Sequence, residues 1–72
     1  MSINELQQKI IILLVDGKTN QQIADELCFS VDKIKKELKK IYKSFRITAP
    51  AEVKRAVLVR EIVRTEMSKL ML

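Results

Sequence analysis

Between Val31 and Arg46 the chain alternates apolar and basic residues with a helical period. With Ile34 set at zero and about 100° per residue, Val31, Ile34, Leu38, Ile41, Tyr42 and Phe45 fall between about −20° and +80°. Lys33, Lys35, Lys36, Lys39, Lys40 and Lys43 fall between about 100° and 260° on the same wheel. A strand would scatter both sets over its two faces, because its side chains alternate with a period of two. The segment is therefore a helix with one apolar and one lysine face. The apolar face must pack on other elements, so this helix organises the fold.

The same segment carries the whole excess charge. The 72-residue chain has 14 basic and 9 acidic residues, a net charge of +5. Seven of the 14 basic residues lie in this segment, against only Asp32 and Glu37. The remainder of the chain is charge-balanced. Such a localised basic face suits a polyanion.

The rest of the chain reads as three further helices. Asn4 with Gln7, and Thr19 with Gln22, have capping-box spacing, with Ile3 placed as a hydrophobic staple. Leu6, Ile10, Leu13 and Leu14 are helically spaced after the first cap. Gly17 suits the left-handed position that ends this helix. Ile23, Ala24 and Leu27 form the stripe of a short second helix, and Ser30 caps the third. Thr48-Ala49-Pro50 opens a fourth, with Pro50 in its first turn. One Gly and one Pro leave little material for β-turns. The expected fold is all-α: one four-helix helix-turn-helix domain over 1–72, with an extended C-terminal helix. Its helices are expected at about 4–15, 20–27, 31–45 and 50–68.

Composition removes several classes of function. The chain has no His and a single Cys28, so no metal or cofactor is expected and catalysis is disfavoured. Cys28 is expected as a small apolar filler in a turn. The longest apolar run, Ile10 to Val15, is far short of the roughly twenty residues of a membrane span. No signal-peptide pattern is visible, so no membrane role and a cytoplasmic location are expected.

The second and third helices, separated by a short turn, make a helix-turn-helix. Ala24 is the small residue for their crossing, and Leu27, Phe29 and Ile34 are its expected apolar contacts. In this motif the second helix of the pair enters the DNA major groove with its N-terminus leading. Gly17-Lys18-Thr19-Asn20, then Ile23-Ala24, Leu27, Ser30, Ile34, Leu38, Ile41 and Tyr42 are spaced as in one known family. On these residues, from 3 to about 57, the chain resembles the DNA-binding domain of LuxR/FixJ-type (GerE-like) transcriptional regulators. Sigma-factor region four has a similar pattern, and the ending KKIYKSFRI favours the LuxR type.

The resemblance implies a third helix that reads double-stranded DNA and a fourth that supports dimerisation. It implies that Thr19, Asn20 and Gln21 meet phosphates. Val31, Asp32, Lys35 and Lys36 would face bases or nearby backbone, and Lys39, Lys40 and Lys43 would follow phosphates. The chain departs from the family pattern at Lys33, where Thr is usual, and at Glu37, where His is usual. It departs again at Ser44, where Lys is usual, and at Arg46, where Gly is usual. Lys33 joins the DNA-facing set through its place on the lysine face. Asp32 has two readings: complement to the helix dipole, or acceptor from a cytosine amino group.

The fourth helix carries two apolar sets. Val53, Ala56, Val57, Val59, Val63, Met67, Leu70 and Met71 form one broad stripe, expected to face the core. Leu58 and Ile62 fall on the far side, and two apolar faces need two partners. A homodimer interface through Leu58, Ile62 and Met67 is the resulting expectation. The leading functional expectation is a DNA-binding transcriptional regulator with helix 31–45 in the major groove. The alternative is a helix-turn-helix module that binds and modulates another regulatory protein.

Overall fold

The capping signals in the sequence mark where each helix begins. In the computed structural model, which describes the backbone of residues 3–71 and the side chains of residues 3–65, there are four helices in this order: α1 (Glu5–Val15), α2 (Asn20–Leu27), α3 (Val31–Ser44) and α4 (Ala51–Met71). Among the described residues the regular structure is all-α.

Both capping boxes form. Asn4 Oδ1 accepts from the Gln7 amide at 2.8 Å, and Gln7 Oε1 accepts from the Asn4 amide at 3.2 Å. Thr19 Oγ1 accepts from the Gln22 amide at 3.1 Å, and Gln22 Oε1 accepts from the Thr19 amide at 2.9 Å. Each box satisfies two amides near a helix start that has no intrahelical partners to offer. Ser30 caps α3 by accepting from the Lys33 amide at 3.1 Å. Pro50 immediately precedes α4 instead of opening its first turn, and its carbonyl accepts from the Val53 amide at 3.1 Å.

The helix ends share one geometry. α1 closes with Gly17 at φ +89° while the Lys18 amide reaches back to the Leu13 carbonyl and the Gly17 amide to the Leu14 carbonyl. This is a Schellman closure, in which a left-handed residue redirects the chain. α3 closes the same way on Arg46, at φ 56°, with the Ile47 amide on the Tyr42 carbonyl. α2 ends on Cys28, at φ 61°, and the Phe29 amide bonds the Ala24 carbonyl. Two side-chain-bearing residues therefore hold a conformation that favours glycine. Cys28 is exposed, so it is not the apolar filler expected of it. The left-handed backbone turns its side chain outward.

Five side chains form the centre of the core: Ile10 of α1, Ile23 of α2, Ile34 and Ile41 of α3, and Leu58 of α4. Ala24 is buried beside them, as a close helix crossing requires. α3 packs against both α1 and α2, and α4 docks on α1. Phe29 is 43% exposed and does not fix the α2–α3 crossing. It lies past the left-handed turn and lines a small surface cleft with Leu6 and Leu27.

The docking of α4 reverses the sequence expectation. Leu58 is fully buried and Ile62 packs partly against the core, whereas Val53 and Val63 are 46% and 41% exposed. The pair expected to meet a second copy is the pair that holds α4 to the domain. Val57 and Val59 flank it, half-buried, and Ala56 is exposed. The side chain of Met67, the third residue expected at a dimer interface, lies outside the described residues. Among the described residues no helix is long and apolar enough to cross a membrane.

Candidate nucleic-acid interface

Packing the apolar side of α3 onto α1 and α2 leaves its lysine side in solvent. Asp32, Lys35, Lys36, Lys39, Lys40 and Lys43 are exposed, and Lys33 is half-buried. Among the described residues, Lys35, Lys36, Lys39 and Lys43 form no ion pair. Of the α3 lysines, they are the ones most available to an anionic ligand. Asp32 sits in the first turn of α3, where a carboxylate complements the helix dipole.

Val31 was expected toward the DNA. Its side chain packs partly against the core instead, because it falls on the apolar side of the helix. The start of α2 is also more occupied than expected. The Thr19 hydroxyl oxygen accepts the Gln22 amide as the cap and keeps its proton to donate, and Gln21 donates from Nε2 to Asp25 Oδ1 at 2.8 Å. Asn20 Oδ1 accepts from Arg55 Nη1 at 2.6 Å. The other Arg55 nitrogen, Nη2, donates to the Lys18 carbonyl. Asn20 is therefore tied to α4 through its side-chain oxygen, and a phosphate, which only accepts, would have to meet its Nδ2 donors.

The fold adds residues that sequence reasoning missed. Lys54 of α4 places its Nζ 4.9 Å from the centroid of the Tyr42 ring. This is a cation–π arrangement. Lys54 lines a shallow cleft with Lys39, Lys40, Tyr42, Lys43 and Ile47, which extends the basic surface onto a second helix. Burial raises the Tyr42 pKa above its usual value of 10.0, and the positive charge of Arg55 pulls it partly back. No local spacing in the sequence pairs residue 54 with 42, or 55 with 20.

Glu37 departs furthest from its expected place. At the edge of the basic face its carboxylate would repel phosphate if it faced DNA. It is only 3% exposed. Lys33 Nζ stands 3.9 Å from its Oε1, and Lys40 Nζ stands 3.8 Å from its Oε2. Among the described residues Oε2 has no hydrogen-bond partner. A buried carboxylate is costly unless compensated, and two lysines one turn away on either side supply that compensation.

Comparisons with protein-family models, curated proteins and solved structures returned no match.

Proposed function

We propose that this chain is a DNA-binding transcriptional regulator whose α3 enters the major groove. The observation that carries the reading is the row of solvent-facing lysines on the second helix of a helix-turn-helix, joined there by Lys54. The resemblance to LuxR/FixJ-type domains supports it. Lysine is a mobile point charge without the bidentate fork of arginine. Affinity should therefore come mainly from phosphates, with a steep salt dependence and modest sequence preference. The proposed setting is the cytoplasm.

The proposed active form is a homodimer through α4, on a different face from the one the sequence suggested. Among the described residues Val53, Ala56 and Val63 form an exposed row on the outside of the helix at spacings of three and seven. Residues at such spacings lie on one helix face, as in a helix–helix seam. Two copies would set two recognition helices against half-sites about 10 base pairs apart. A second reading, a helix-turn-helix that binds another regulator, draws on the same outward row and on the two lysines engaged by Glu37.

The test is binding of the protein to duplex DNA at low and high salt. Binding that weakens steeply with salt, and is abolished by Lys35→Glu with Lys36→Glu in a folded domain, supports the reading. No affinity at low salt, together with a heteromeric complex formed through Val53 and Val63, would favour the second reading.

A further inference from the structure

Glu37 stands on α3 between the apolar side and the lysine side, and its burial is nearly complete. A carboxylate there contributes nothing to apolar packing. Its two oxygens instead face the ammonium groups of Lys33 and Lys40, one turn before and after it. Both distances are ion-pair distances. Oε2 has no hydrogen bond among the described residues, and the Lys40 ammonium stands 3.8 Å from it.

We propose that Glu37 acts as an internal substitute for phosphate, holding Lys33 and Lys40 out of the DNA-binding set. The proposal rests on the functional reading above and concerns the regulation of that same surface. The physical argument is one of exchange. A lysine that leaves Glu37 for a phosphate gains one ion pair and abandons another, and leaves a buried carboxylate with less compensation. Breaking one side of a buried pair is unfavourable. Lys33 and Lys40 therefore add less affinity than Lys35, Lys36, Lys39 and Lys43, which have no such pair among the described residues. The role of Glu37 is to position and restrain these two cations, which keeps an all-lysine surface from binding every duplex at full strength.

The experiment compares wild type with Glu37→Gln on a short random-sequence duplex over a range of salt, with circular dichroism confirming that both are folded. Each lysine freed for a phosphate steepens the log–log salt dependence by about 0.9. Two freed lysines steepen it by about 1.8, so doubling the salt weakens the variant about 3.5-fold more than wild type. At low salt the variant binds more tightly. Equal slopes and equal affinities overturn the inference and leave the functional reading standing. Absence of binding by both proteins overturns the functional reading and the inference with it. A variant that binds where wild type does not supports both. Single variants give an independent measure should Glu37→Gln lose its helical signal: Lys33→Gln and Lys40→Gln each reduce the salt slope less than Lys36→Gln. Equal reductions by all three overturn the proposal.

Discussion

Arg55 and Asn20 are 35 positions apart in the chain, and their side chains meet at 2.6 Å. The same guanidinium also takes the Lys18 carbonyl, so one residue of α4 ties down both the loop before α2 and its first residue. These bonds fix the start of α2 relative to α4. Arg55→Ala is expected to destabilise the domain by about 1–2 kcal/mol, since hydrogen bonds from a charged donor are worth more than neutral ones. Arg55→Lys should recover only part of that, because an ammonium cannot present two parallel donors in one plane. Urea denaturation of the two variants checks both points, and a fully restored midpoint in the lysine variant would contradict the bidentate role.

The two sides of α4 should respond in opposite ways. Leu58 is completely buried, so Leu58→Ala removes core packing and should cost about 2–5 kcal/mol. In a chain of 72 residues, whose whole stability is on the order of 4–11 kcal/mol, that is a large share. Val63→Asp should change stability by no more than about 0.5 kcal/mol, because the residue is on the surface. It should shift the solution mass from dimer to monomer if the outward row is the seam. Thermal melts and light scattering on the same samples separate the two effects.

Cys28 and Arg46 hold left-handed backbone with a Cβ attached. Replacing either with glycine removes that steric penalty, against a smaller loss of chain entropy. Cys28→Gly and Arg46→Gly are each expected to stabilise the domain by about 0.5–1 kcal/mol, read from the urea midpoint. A destabilised Arg46→Gly would show that the side chain contributes packing the geometry does not reveal.

Tyr42 is the one tyrosine of the chain, so its ionisation can be followed directly by tyrosinate absorbance. Burial raises its pKa in the folded state above the usual 10.0, with Arg55 opposing the shift. The native state thus holds the proton more tightly than the unfolded state. Its contribution to stability is fully present below about pH 10 and is lost as pH rises through the folded pKa. Arg55→Ala should push the Tyr42 titration to still higher pH, because it removes the opposing charge. A shift to lower pH would contradict this balance.

The local features of the fold were legible in the residues themselves. Asn4 with Gln7, Thr19 with Gln22, Ser30 and Gly17 act within four positions of chain, so spacing alone identified them. The apolar side of α3 was legible because it is continuous and opposite to a continuous lysine side. The candidate site was legible in its exposed lysines and misleading at its margins. Val31 and Asn20 turn partly inward, Glu37 is buried, and Lys54 and Arg55 arrive from a helix that no local pattern connects to α3.

Sequence alone thus determined four helices, the bounds of the first three to about one residue, and a basic helix that must leave its lysines in solvent; α4 was expected at about 50–68 and runs Ala51–Met71. The reason is that capping, helical period and charge are properties of near neighbours along the chain. Only the tertiary structure decided which of two apolar sides of α4 is buried. A hydrophobic stripe states that a partner is needed and does not say which stripe the core has room for. Leu58 and Ile62 took that place and left Val53 and Val63 outside. The fate of Glu37 was decided in the same way. Its spacing to Lys33 and Lys40 is written in the chain, but its burial comes from the packing around it.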